Sequence, residues 1–326
     1  GECVGGGGVA VLEGAGGVCA RLGAKGVGGR APGDGRRAGQ RRRGGSSGAL
    51  LFVHGTLARG ARVPARLRHR STAVVSAAAP GGRTIVTTGG LTRVDRRPVA
   101  AIGPPLRGAG LLSADSCCNA TRHTRAALPV NGRVWVTQRF AVDWERIDAA
   151  NRIYRGARED VNSYAIYGDD VLAVANAPVV SVITGQPDQT PGVFPTNIPV
   201  SLADGNSVVL GLGKGRYALY AHLKPGSIRV RPGDRVSRGQ VIGSVGNSGN
   251  SVAPHLHFHV MDNPSPLAAN GLPYEIRNFR VVGRTRGTAA FDAAEADGTP
   301  LAILPSGARR VARGLPLDQL LVDFGS

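Results

Sequence analysis

From about residue 129 onward, short β-branched and apolar runs alternate with clusters of glycine, proline, asparagine and aspartate. The runs fall at 133–137, 171–174, 179–184, 207–212, 217–221, 239–245 and 255–261. Turn signals separate them, among them Asn131-Gly132, Asp204-Gly205-Asn206, Pro232-Gly233-Asp234 and the glycine-asparagine-serine stretch at 246–250. Runs this short, bounded by turn residues and lacking a 3.6-residue period, predict strands rather than helices. The fold class expected is therefore all-β, a β-sheet sandwich or barrel. Residues 186–200, rich in proline, read as a long surface loop, and 315–324 as a short strand or helix that packs back.

The first hundred residues have a different texture. Residues 1–50 hold 18 glycines and the run Arg41-Arg42-Arg43. Such a segment cannot bury enough apolar surface to offset its chain entropy, so a disordered N-terminal third is expected. Residues 51–100 carry short apolar runs such as Thr84-Ile85-Val86 between glycines and arginines, with no convincing element. The division expected is 1–100 low-complexity and disordered, 101–128 a lead-in segment, 129–285 the β core and 286–326 a C-terminal extension. The chain begins with glycine and its one methionine is Met261, so the true start is expected to be missing or misassigned. No signal peptide can be read. No stretch approaches the roughly 18 consecutive apolar residues of a membrane-spanning helix, so no transmembrane segment is expected.

Charge sharpens this division. The net charge of +18 splits into +15 for residues 1–125 (20 basic, 5 acidic) and +3 for residues 126–326 (20 basic, 17 acidic). An arginine-rich tract is able to bind nucleic acid or an anionic envelope surface, although a solvated segment is the simpler reading. The nearly neutral remainder shows no interleaving of aromatic and basic residues, so nucleic acid is not an expected partner. Cys117 and Cys118 are adjacent, too close for an ordinary bridge, and Cys3 and Cys19 lie among glycines. That pattern is neither a disulfide scaffold nor a CxxC metal site. Gly211-Leu212-Gly213-Lys214-Gly215 reads as a hairpin turn, and Asn119-Ala120-Thr121 is a glycosylation sequon by spacing only.

Chemistry concentrates in the histidines. His255, His257 and His259 alternate with Leu256, Phe258 and Val260, which on a strand places three imidazoles on one face and the apolar residues in the core. A row of imidazoles suits a divalent metal or proton transfer. Tyr220 and His222 are expected to share a face two residues apart, and Asp143 stands between Val142 and Trp144, an unusual place for an acid without a partner.

These pieces follow a known pattern. The segments Tyr-Gly-Asp-Asp-Val-Leu-Ala-Val-Ala (167–175), Tyr-Ala-His-Leu (220–223), Arg-Pro-Gly-Asp-Arg-Val-Ser-Arg-Gly-Gln-Val-Ile-Gly (231–243) and Gly-Asn-Ser-Gly-Asn-Ser-Val-Ala-Pro-His-Leu-His-Phe (246–258) resemble the core of the lysostaphin-type (LytM-like) zinc metallopeptidases, which cleave peptide cross-links in bacterial peptidoglycan. The resemblance covers roughly 129–285 and implies a mainly antiparallel β fold with a groove across the sheet. It implies that His257 and Asp143 are ligands of Zn²⁺, and that His222 and His255 are the pair that activates water and stabilises the oxyanion. It further implies peptidoglycan peptides as substrate and an extracellular or cell-envelope location.

One position departs from the pattern. The family's HxxxD motif calls for a histidine four residues before Asp143, where this chain has Arg139. A guanidinium offers only donors and cannot ligate zinc, but it can pair with Asp143. A third ligand would then come from His259, or from His123 in Thr-Arg-His-Thr-Arg, which the sequence does not place. A smaller departure is Asn176-Ala177-Pro178, where the family has a hairpin glycine. Three readings stay open: a zinc peptidase, a degenerate module that has lost the metal and binds peptidoglycan or a cell-wall hydrolase, and, least supported, a nucleic-acid binder working through the basic tract.

Overall fold

The computed structural model describes residues 11–13, 19–23, 52–56, 62–75, 83–117 and 121–325. They fall into two units, 1–98 and 99–326. In the first unit, β1 (Val11–Glu13), β4 (Arg66–Val75) and β5 (Arg83–Arg93) form an antiparallel sheet in the order β1-β4-β5. There, too, β2 (Cys19–Gly23) pairs with β3 (Phe52–Thr56). Part of the segment 1–100, expected to be disordered, lies outside the described residues. Thr84, Ile85 and Val86 take their places in β5 opposite Val74, Ala73 and Thr72. The β-branched residues of β4 and β5 favour the pleated conformation, whereas Gly89 and Gly90 within β5 disguise the run in sequence.

The second unit begins with β6 (Ala100–Ile102), β7 (Leu111–Ala114), α1 (Thr121–Arg125), β8 (Leu128–Val130), β9 (Arg133–Trp135) and β10 (Val142–Arg146). It continues with β11 (Asp170–Leu172), β12 (Ala177–Ile183), β13 (Asn206–Gly213), β14 (Arg216–Leu223), β15 (Arg235–Val236), β16 (Val241–Ser244) and β17 (Leu256–Met261). It closes with β18 (Gly271–Leu272), β19 (Tyr274–Arg284), α2 (Thr288–Asp297), β20 (Arg309–Gly314) and β21 (Leu320–Asp323). Twelve strands make one sheet in the order β15-β12-β13-β14-β17-β10-β7-β21-β19-β20, with β18 on β17 and β6 on β19. The β6–β19 pair is parallel and the others are antiparallel, while β11 and β16 form a separate two-stranded sheet. Every run predicted from sequence overlaps a strand.

The lead-in segment 101–128 supplies β7, paired with both β10 and β21, and the extension supplies β21, paired with β7 and β19. Neither is an appendage. Leu111, Leu112 and Val322 are completely buried there, in strands of only four residues that leave little periodicity to read.

Alternation along β10, β14 and β17 separates two faces. One face carries Trp144, Tyr220, Leu256, Phe258 and Val260 into the main core, where they meet Val171 and Ile242 of the small sheet. Each of these large side chains contributes about 1.5–3 kcal/mol by burial. Tyr220 also accepts a hydrogen bond from the Val174 N–H at 2.8 Å, which satisfies its buried hydroxyl. The opposite face carries the polar residues at the same level of the sheet.

Candidate active site

Register places the first pair. Asp143 on β10 lies directly opposite His257 on β17, and His257 lies opposite Ala221 on β14. Residues opposite one another in an antiparallel ladder share a face. Asp143 and His257, over a hundred residues apart in sequence, are thereby fixed side by side: the His257 Nδ1 lies 2.8 Å from Asp143 Oδ1.

His222 reaches the same face by a different device. It sits two residues after Tyr220, and strict alternation would turn it into the core beside Tyr220 and Phe258. Between Asn206 and Val208 of β13 the pairing with β14 slips, so that Leu223 and Tyr220 are their partners. His222 takes a left-handed φ of 61° at this irregularity. A bulge of this kind re-aims one side chain, and the His222 ring stands 4.8 Å from the His255 ring and 5.8 Å from the His257 ring. The face shared by Tyr220 and His222 in the sequence reading is therefore corrected. The carbonyl of Leu223 left over at the slip accepts from Asn206 Nδ2 at 3.0 Å and Ser248 Oγ at 2.7 Å. His222 Nδ1 meets the Ser248 carbonyl at 2.8 Å. The Ser248 segment is pressed against Gly205, where a Cβ would stand 2.4 Å from the Ser248 carbonyl oxygen.

His255 stands just before β17. Its Nδ1 bonds the Ala253 carbonyl at 2.8 Å, with Ser251 Oγ at 3.3 Å, and its Nε2 lies 3.6 Å from Asp143 Oδ1. A carbonyl only accepts, so the Nδ1 of both His222 and His255 carries hydrogen and the Nε2 of each is left for the cleft.

His123 completes the group. The five-residue α1 is too short to persist alone and is pinned by its neighbours. Arg122 forms 2.8 Å ion pairs with Asp115 and with Asp292 of α2. The His123 Nδ1 donates to the Asp115 carbonyl at 2.6 Å, and its Nε2 faces Asp143 Oδ2 at 3.1 Å. Both ring nitrogens thus face acceptors. Burial disfavours the imidazolium, but the Asp143 charge outweighs it and raises the pKa of His123 above the ordinary value. Burial likewise works against the Asp143 carboxylate, yet His123, His255 and His257 hold its pKa well below the usual range. His222 is the reverse case: burial, and then His255 and His257, push its pKa well down and keep it neutral.

Arg139 and His259 do not join this group. Arg139 is exposed, with its guanidinium 4.8 Å over the Phe140 ring, and no ion pair among the described residues joins it to Asp143. The turn that bears it is held by close backbone packing: a Cβ on Gly271 would lie 1.9 Å from the Arg139 carbonyl oxygen. The Arg139–Asp143 pairing considered from sequence is replaced by His123. His259 is on the expected face but 2.9 Å from His257 Nε2, on the opposite edge of that ring from Asp143. Sequence reasoning missed Glu145, two residues along β10 from Asp143. Burial, then Glu295 and Asp143, push its pKa well above the ordinary carboxyl value.

Ligating atoms of His123, Asp143 and His257 all lie within 4.8 Å of one another, as do those of His222, His255 and His257. The first set fits a divalent ion better. It combines two imidazoles with an ionised carboxylate, a donor mixture that zinc accepts. The His123 Nδ1–H on a backbone carbonyl is the outer support that metal-bound histidines ordinarily have. The two oxygens of the Asp143 carboxylate lie 2.8 Å from His257 Nδ1 and 3.1 Å from His123 Nε2, so the carboxylate stands between the two imidazoles.

Residues 163–269 match the model of Peptidase family M23. A stretch of 65 residues is 42% identical to "Peptidoglycan DD-endopeptidase ShyA" of Vibrio cholerae, covering 20% of this chain and 15% of that protein. A stretch of 44 residues is 52% identical to "Glycyl-glycine endopeptidase ALE-1" of Staphylococcus capitis, covering 14% of this chain and 12% of that one. Among solved structures, the catalytic domain of lysostaphin from Staphylococcus simulans aligns over 50% of this chain and 88% of its own length, at 20% identity and a TM-score of 0.27. His222, His255, His257 and His259 fall within the family match, whereas His123 and Asp143 lie before it.

Proposed function

We propose that this protein is a zinc-dependent endopeptidase acting on the peptide cross-links of peptidoglycan in the cell envelope, with His123 as the ligand that replaces the histidine absent at position 139. The observation that carries this reading is the gathering of ligand atoms of His123, Asp143 and His257 within 4.8 Å of one another, beside two further imidazoles whose Nε2 atoms are left for the cleft. Zinc held by His123, Asp143 and His257 would supply Lewis acidity and a bound water acidic near neutral pH. The residues of the chain do the rest. His222, kept neutral by burial, offers its Nε2 lone pair as general base. His255, whose Nε2 is 3.6 Å from the Asp143 carboxylate, is the ring that would stabilise the developing oxyanion. Their backbone anchors at Ser248 and Ala253 hold both rings in the tautomer this division needs.

The test is direct: zinc content of the purified chain, together with release of soluble peptides from cross-linked peptidoglycan. Zinc near one per chain and hydrolysis lost in His222→Ala with zinc retained support the reading. A second reading, a metal-free module that binds peptidoglycan or a cell-wall hydrolase, is favoured by Arg139, a residue incapable of ligation at the motif position. Absence of bound zinc across a range of concentrations selects it.

A further inference from the structure

His259 has no part in the reading above. It is 1% exposed and its ring stands edge-on to His257 at 5.1 Å. Its Nδ1 contacts His257 Nε2 at 2.9 Å, and its own Nε2 has no partner among the described residues. The ring therefore has a single hydrogen-bonding contact, with His257.

The kind of partner matters. His123, His222 and His255 each direct Nδ1 to a backbone carbonyl. A carbonyl only accepts, so those three rings are locked with hydrogen on Nδ1. His257 is different because its Nδ1 is the atom that faces Asp143. Facing a carboxylate alone, that nitrogen carries hydrogen, and in a neutral ring Nε2 must then accept. Facing a cation, it must present its lone pair, and the hydrogen then sits on Nε2, which must donate. A backbone carbonyl would serve only the second state, whereas a neutral imidazole serves either one by exchanging its own tautomer.

We propose that His259 is a positioning residue for His257: its Nδ1 donates to His257 Nε2 in the metal-free protein and accepts from it when an ion is held, fixing the ring in both states. No proton is gained or lost by His259 in this exchange, since the hydrogen leaving its Nδ1 is replaced by one on its Nε2. His257 likewise keeps one hydrogen in each state, giving up the one on Nδ1 and holding one on Nε2, so the two rings together release no net proton. This inference rests on the zinc-dependent reading for its second half alone.

Two measurements on the full chain test it. Nitrogen-15 spectra of the histidine rings should show His257 and His259 both with hydrogen on Nδ1 without metal, and both with hydrogen on Nε2 after zinc is added. Competition with a chromophoric chelator should show zinc binding weakened about 10–100-fold in His259→Phe, the size of loss typical for an outer-shell partner. His259→Gln, whose amide can accept or donate, should stay within about threefold of the parent protein. A His259→Phe protein with unchanged zinc affinity, or a His257 tautomer that zinc does not alter, overturns the proposal. Thermal melting separates loss of folding from loss of affinity, and where His259→Phe does not fold, the parent spectra and His259→Gln decide. If the parent binds no zinc, the enzymatic reading fails; the metal-free spectra still judge His259, and a His257 with hydrogen on Nε2 refutes its role.

Discussion

Replacing His123 with alanine separates the site described here from the family's motif. The substitution removes one imidazole and two contacts, the 2.6 Å bond to the Asp115 carbonyl and the 3.1 Å contact with Asp143. In the metal-free protein the second is a charge-assisted bond, and bonds to charged groups contribute about 1.5–3 kcal/mol. Asp143 keeps His257 as a partner, so the loss of stability should sit near 2 kcal/mol rather than the larger cost of a stranded buried charge. The effect on zinc should be greater. Loss of an outer-shell partner lowers affinity about 10–100-fold, so removing one of the three ligands proposed above should exceed roughly 100-fold, or about 2.7 kcal/mol.

Arg139→His supplies the contrast. A side chain at 139 lies in an exposed turn, and Asp143 already has His123 and His257 on its two oxygens. Restoring the motif's letters should therefore change zinc affinity by less than about threefold. Chelator competition on the two variants, with thermal melting as the control for folding, reads both. If His123→Ala binds zinc as the parent does, or Arg139→His tightens binding tenfold or more, the ligand set is wrong and the motif position governs after all.

Further outcomes follow from neighbouring contacts. Arg122→Ala should loosen α1 by removing both ion pairs, and should weaken zinc binding about tenfold, with His222 and His255 unaffected in their ring spectra. Gly205→Ala should cost more than about 2 kcal/mol by chemical denaturation, because its φ is 60° and its Cβ would collide with the Ser248 carbonyl that anchors His222. Phe194, 72% exposed on a loop tied by Gly192 N–H to the Val252 carbonyl near His255, should when changed to serine raise KM for cross-linked peptide while leaving zinc content unchanged.

The strands were legible wherever short apolar runs stood between turn residues, as in β13, β14 and β17. Those missed were short, such as β7, or interrupted by glycine, as in β5, or paired across long stretches of sequence that no local pattern records. The alternation of His255, His257 and His259 was readable because a regular strand has period two. The orientation of His222 was not, because one slipped pair against β13 reverses it, and the only local sign is a histidine in left-handed backbone. Arg139 was readable as a departure, but what takes its place was not. His123 depends on a short helix held by Asp292, some 170 residues further on, and no spacing rule reaches that far.

That dependence fixes how much chain the chemistry needs. The segment 163–269 that carries the family match contains His222, His255 and His257 but neither His123 nor Asp143. Asp143 is held in place by β7 as well as β17, and β7 in turn pairs with β21 near the C-terminal end. Arg122, next to His123, is anchored to α2. A protein cut at residue 126 would keep every residue that matches the family motifs, yet lose both the histidine at Asp143 and the strand beside it. It should fold poorly and take up zinc weakly, whereas a chain beginning at residue 99 should retain the parent's zinc content. Equal zinc binding by the two would show that Asp143 and His257 hold the ion without help from the lead-in segment.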